Sequence, residues 1–129
     1  MEKIENARIT KVSITMADHG CLTFWVYLEG GGWGCGFGGY CIGRGFLGSD
    51  TFKAENGKGL EAMMHIMNVV GVEKWENLEG KYVRCKTEGL GGSINEIGNI
   101  LENKWFNIKR FFAERVNEGE ELAKDGEQE

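Results

Sequence analysis

Apolar and polar residues alternate through the first quarter of the chain. "IENARITKVSIT" places Ile4, Asn6, Arg8, Thr10, Val12 and Ile14 on one face of an extended segment, with Ala7, Ile9, Lys11, Ser13 and Thr15 on the other. Its length and β-branched content predict a strand. "MADHG" follows with Asp18, His19 and Gly20 as turn formers, and "CLTFWVYLE" then sets Leu22, Phe24, Val26 and Leu28 against Cys21, Thr23, Trp25 and Tyr27. The pattern predicts a β-hairpin whose second strand is apolar on both sides. Two apolar faces need two coverings: a helix together with further strands, or a partner subunit.

Residues 30–48, "GGGWGCGFGGYCIGRGFLG", break the alternation, because ten of nineteen positions are Gly, interleaved with Trp33, Phe37, Tyr40 and Phe46. Gly weakens a strand but permits bulges and the close approach of a ligand or another backbone. Rings in such a segment predict an ordered third strand around "WGCGFGGYCI", followed by a break near "GSDTFKAENGKG". The period then changes. "GLEAMMHIMNVVG" carries Leu60, Met63, Met64, Met67 and Val70 at helical spacing and stops at Gly71, which predicts an amphipathic helix with that stripe inward. His65, beside the stripe, reads as a surface or partly buried residue in preference to a metal ligand.

Further on, a loop carries Trp75, a turn falls at Glu79-Gly80, and a strand sets Val83 and Cys85 against Tyr82, Arg84 and Lys86. A second strand from Ile94 to Leu101 pairs with it across "EGLGG". Asn107 caps a last helix, "IKRFFAERV", with Ile108, Phe111, Phe112 and Val116 toward the body. The fold class is α+β: an antiparallel β body, one amphipathic helix after the Gly-rich strand region, and a C-terminal helix.

At 129 residues the length suits one domain, read as residues 1–117, with 118–129 an acidic tail expected to be frayed or disordered. No apolar run nears the roughly 18 residues of a membrane span, and "MEKIENARIT" lacks the apolar stretch of a signal peptide. The expectation is a cytoplasmic protein whose four cysteines are reduced. His19 and Cys21 with Cys35 and Cys41 match no familiar zinc spacing, so the thiols read as small apolar fillers and no metal is expected. Residues 113–129 hold seven acids and two bases, the whole of the net charge of −5. The remaining body is neutral, which argues against the basic face of a duplex-DNA binder.

Little in the chain points to catalysis. "GCGFGG" satisfies G-x-G-x-x-G at Gly34, Gly36 and Gly39, but "YCIGRG" follows where a dinucleotide fingerprint opens a helix. Neither histidine stands in a setting that would activate a nucleophile. The chain reads as a binder without a cofactor. Its four Trp, three Tyr and seven Phe offer faces on which bases stack. Arg44, Arg84, Arg110 and Arg115 suit phosphate oxygens, and Asn95, Asn99 and Asn107 suit ribose hydroxyls or base edges.

"DHGCLTFW" running into "GFGGY", then "GVEKWENLEGKYVRCK" and "IGNILENKWFN", resemble the anti-Thoeris proteins of the first type, small phage sponges for cyclic ADP-ribose signals. The likeness covers most of residues 3 to 112; it departs in Trp33, Cys35 and the long acidic extension after Phe112. It implies a non-catalytic protein of the infected bacterial host's cytoplasm, assembled as dimers or multiples of dimers. Such a protein binds glycocyclic ADP-ribose isomers, and in some members cyclic oligonucleotides, to block a TIR-based defence. A ligand with a pyrophosphate, two riboses and adenine directs attention to Arg110 and Arg84 for phosphate, Asn95 for ribose or adenine, and Trp105 or Phe106 as a stacking wall. The competing expectation is a small interaction module that inhibits a protein target through the aromatic Gly-rich loop.

Overall fold

The computed structural model describes residues 3–55, 57–87 and 93–113. Its longest strand organises the rest: β1, Lys3–Asp18, spans sixteen residues. A two-residue turn at His19 (φ 51°) and Gly20 (φ 79°) leads into β2, Cys21–Gly30. Positive φ at both positions matches the twist of a tight hairpin. The Gly-rich segment is ordered as β3, Trp33–Gly45. The short β4, Phe52–Ala54, pairs with Gly43 to Gly45 where only a break was expected. After α1, Lys58–Val70, and a 3-10 turn at Trp75–Leu78 come β5, Tyr82–Thr87, β6, Glu96–Asn99, and β7, Trp105–Asn107. Residues 108–113 are helical, and Asn107 caps them as predicted, its Oδ1 accepting the Arg110 N–H at 2.8 Å.

All seven strands form one antiparallel sheet in the order β4-β3-β2-β1-β5-β6-β7, so the α+β reading with an antiparallel β body holds. β1 serves two half-sheets. Its residues from Arg8 onward pair with β2, and those from Lys3 to Arg8 pair with β5. The register shifts between Ile9 and Lys11, where the strand passes from one half to the other. The segment after the 3-10 turn satisfies the backbone there: Gly80 N–H donates to Ile9 O at 2.7 Å, and Ile9 N–H to Lys81 O at 2.8 Å. The Val12 N–H donates to Glu79 Oε1 at 3.1 Å. The two halves come together where the Ile94 backbone, just ahead of β6, approaches the Cys35 sulfur on β3.

The core lies between the two halves, with Ile9, Phe24, Val26, Leu28, Phe37, Val83 and Ile97 all buried. α1 closes it with part of the expected stripe, Met63 buried and Met67 and Val70 packed against the core. Its buried residues are Gly59, Ala62, Met63, Ile66 and Val69, while Leu60 and Met64 are 50% and 60% exposed. The segment is apolar enough for two overlapping stripes, and the small residues decide between them: Gly59 and Ala62 let the helix sit directly on the sheet. The predicted stop is correct, Gly71 taking a left-handed φ of 90°. The second predicted strand is shorter than Ile94 to Leu101, and "KWF" contributes the separate β7. The "EGLGG" connection, Arg115, Val116 and the acidic tail lie outside the described residues. No helix among the described residues is long and apolar enough to cross a membrane.

A Cβ at Gly59 would fall 2.1 Å from Ile42 Cγ2, so Gly59→Ala tests the seating of α1. Overpacking costs about 1–3 kcal/mol, against a helix-propensity gain of about 1 kcal/mol. The variant is therefore expected to lower the urea midpoint. An unchanged or raised midpoint would show that α1 can lift off the sheet at no cost.

Candidate functional site

Alternation along β5 to β7 sends Val83, Cys85, Ile97 and Phe106 inward and leaves Arg84, Lys86, Gly98 and Trp105 on the outer face. Register aligns Arg84 with Gly98 and Gly98 with Trp105 in one row across three strands. The absent side chain at Gly98 makes the site. A Cβ there would lie 2.5 Å from the Trp105 ring, so the indole lies on bare backbone and reaches across β6. Arg84 Cζ and Lys86 Nζ each stand 4.7 Å from its ring centroid, within the range of a cation–π contact.

The cations are held in place. Arg84 Nε donates to Asn99 O at 2.8 Å, and Nη2 to Glu102 O at 2.9 Å. Lys86 Nζ is 3.1 Å from Glu96 Oε2, and Glu96 Oε1 accepts from Asn107 Nδ2 at 3.2 Å. Trp105 Nε1 donates to Asn103 Oδ1 at 3.0 Å. Behind them, the Asn99 amide donates to Val69 O at 2.8 Å, and its Oδ1 accepts the N–H groups of Leu101 and Glu102. That one side chain fixes the loop whose carbonyl receives Arg84. Gly98 lies against the indole and the two cations stand over its ring, so the row joins an aromatic surface to two positive charges.

Of the residues expected to meet a ligand, the structure brings Arg84 and Trp105 together and turns Phe106 to the opposite face. Phe106 is only 6% exposed; it stacks on His65 at 5.0 Å and meets Phe111 edge-on at 5.5 Å. Adjacent residues of a strand face opposite ways, so only one of Trp105 and Phe106 lies on this face. Asn95 is half-buried, its carbonyl accepting the Ile108 N–H at 2.9 Å. Arg110 is exposed in the first turn of the last helix. Lys86 and Glu96 were not among the expected contacts, although Lys86 sits two residues from Arg84, the spacing that puts both on one face.

None of the four cysteines is in a disulfide. Burial, then Cys35 and Glu5, push the Cys85 thiol up to about 11, and burial likewise raises Cys35. No group of three or more potential metal ligands forms among the described residues. Cys85 should resist a thiol reagent at pH 8 in the native protein and react on unfolding. Because its folded value is raised, its contribution to stability is complete below the unfolded value of about 8.5. It is lost as pH rises from there toward about 11. Denaturant melts across that range check the slope, which should become shallower in Cys85→Ala, with Cys35 and Tyr40, also raised by burial, supplying part of what remains.

No family model, curated protein or solved structure matches this chain.

Proposed function

We propose that this chain is a non-catalytic sponge: it holds a cyclic nucleotide signal, a glycocyclic ADP-ribose isomer or a cyclic oligonucleotide, and blocks a TIR-based anti-phage defence in the cytoplasm of the infected bacterium. The observation that carries the reading is the Trp105 ring lying on Gly98 with Arg84 and Lys86 each 4.7 Å from its centroid. With Arg84 and Lys86 drawn off the ring to meet the phosphates, a purine stacks on the indole they uncover, so the two chemistries of a nucleotide find partners within one row of side chains. Sequestration requires only affinity and copy number. The protein acts as a homo-oligomer, a dimer or a multiple of dimers. Sedimentation at micromolar concentration is expected to show a species larger than the 14.4 kDa chain.

A second reading, direct inhibition of a protein target, has its own support. Phe46, Leu47 and Phe52, 67%, 85% and 59% exposed, stand close in sequence where β3 turns into β4. One experiment separates the readings. The protein is incubated with a cyclic ADP-ribose isomer, separated and heat-denatured, and the released material is assayed. A sponge returns intact ligand, an enzyme returns product, and an inhibitor of a protein target returns nothing. In calorimetric titration Trp105→Ala should weaken binding by about five- to a hundredfold, the worth of one stacked base. Unchanged affinity removes Trp105 from the site. Arg110→Ala tests whether the anion extends to the last helix, with about ten- to a hundredfold weaker binding expected for a lost charge-assisted contact.

A further inference from the structure

The outer face of β2 and β3 carries a second aromatic surface, separate from Trp105. Trp25 and Tyr27 point away from the core that buries Phe24, Val26 and Leu28. Their rings are 6.0 Å apart and within 20° of parallel. A Cβ at Gly36 would lie 2.8 Å from the Trp25 ring and 3.7 Å from that of Tyr27; one at Gly39 would lie 2.6 Å from Trp25. Trp25 is therefore laid on the bare backbone of β3, and Tyr27, near parallel to it, rests in ordinary contact beside Gly36.

Covering a glycine-rich ladder is reason enough for apolar side chains there, but it does not account for the charges around them. Lys11 pairs with Tyr27 and Ser13 with Trp25. Arg8 stands opposite Tyr82, and Asn6 opposite Arg84. The same outer face thus runs from two flat rings across Lys11 and Arg8 to Arg84 and Lys86. Its acids are fewer: Glu29 opposite Arg8, and Glu96, already paired with Lys86. On a body that is neutral overall, this face carries an excess of positive charge interleaved with aromatic rings.

We propose that this face binds a single-stranded nucleic acid, with successive bases stacked on Trp25 and Tyr27 and the phosphates running over Lys11 and Arg8. Flat rings open on one side can stack only on bases that are not already paired, which selects single strands over duplexes. Stacking of this kind tolerates any base sequence, since every base has a π-face. The connectivity points the same way by analogy. β1 pairs with both β2 and β5, and α1 lies between the third-strand hairpin and the strand that returns to β1. OB barrels share this arrangement and take oligonucleotides on the face of their second and third strands. The proposal rests on Trp25 and Tyr27 and is independent of the cyclic-nucleotide reading at Trp105.

The test is fluorescence anisotropy of labelled oligothymidine, oligouridine and a duplex of equal length, at low and moderate salt. Binding of the single strands, much weaker binding of the duplex and loss of affinity with salt are expected. Trp25→Leu and Tyr27→Leu keep an apolar cover over Gly36 and Gly39 while removing the stacking face. Each should weaken binding about five- to a hundredfold with an unchanged thermal melt. Lys11→Gln should reduce the salt slope by about 0.7. Excess cyclic ADP-ribose should not displace the oligonucleotide, and Trp105→Ala should leave its affinity near wild type, so failure of one site is distinguishable from failure of the other. Absence of oligonucleotide binding at low salt overturns the proposal, as does full affinity in folded Trp25→Leu and Tyr27→Leu. Wild-type protein that binds no oligonucleotide, but whose oligomers dissociate in Trp25→Leu, would assign the face to a second copy of the chain and also overturn it.

Discussion

A β-ladder made of glycines cannot shield its own hydrogen bonds from water, and in this protein rings borrowed from elsewhere do so. Trp25 lies on Gly36 and Gly39, Trp33 on Gly30, Phe46 on Gly20, Phe52 on Gly45 and Trp105 on Gly98. Each glycine in a strand costs about 0.5–1 kcal/mol relative to alanine. A ring that buries roughly 100 Å² against it returns about 2–3 kcal/mol at 25 cal/mol per Å². The exchange is favourable only while the glycine stays bare, since a methyl group at Gly36, Gly39 or Gly98 would overlap the ring above it. Gly and aromatic residues are thus coupled, and that coupling orders the segment from Trp33 to Gly45.

Curvature is the second constraint. Because β1 changes partner at Arg8, the sheet bends into two halves that enclose the core, leaving the outer side to polar and aromatic residues. Glu79, Gly80 and Lys81 hold the bend by hydrogen-bonding the backbone of Ile9 and Val12. Three covers then close the inner side. α1 seats Gly59 and Ala62 on the sheet, the 3-10 turn buries Leu78, and the last helix stacks Phe112 on Tyr40 at 3.8 Å. With the helices on one side, the sheet's opposite face is where Trp25, Tyr27, Arg84 and Trp105 are displayed.

Much of this was legible in the sequence where the signal is local. Alternation located β1, β2 and β5, and Asn107 and Gly71 marked the ends of helices because capping depends on one residue and its immediate neighbours. The phase of α1 was legible only in part. Met63, Met67 and Val70 of the apolar stripe do pack inward, but the fit of Gly59 against Ile42, a contact across seventeen positions of sequence, turns Leu60 and Met64 outward. β4 and β7 are three residues each, too short to show a period. At the candidate site the residue types were readable, but the choice between Trp105 and Phe106 required the register of β7 on β6. The partnership of Trp105 with Lys86 required that of β6 on β5 as well. Whether a ring faces ligand or core is decided by one residue of register, which composition does not encode.

The inner and outer sides are nevertheless connected through Asn99. Its amide donates to Val69 O, near the C-terminal end of α1, while its own carbonyl accepts from Arg84 Nε, both at 2.8 Å. Its Oδ1 meanwhile fixes Leu101 and Glu102, whose backbone supplies the second acceptor for Arg84. The position of the guanidinium beside Trp105 is therefore set by the end of the helix that covers the core. Each of those hydrogen bonds contributes only about 0.5–1.5 kcal/mol, but together they fix the guanidinium against the ring. The bent sheet thus does two jobs with one register: it encloses the apolar residues that stabilise the fold, and it holds the outer rings and charges in a fixed array.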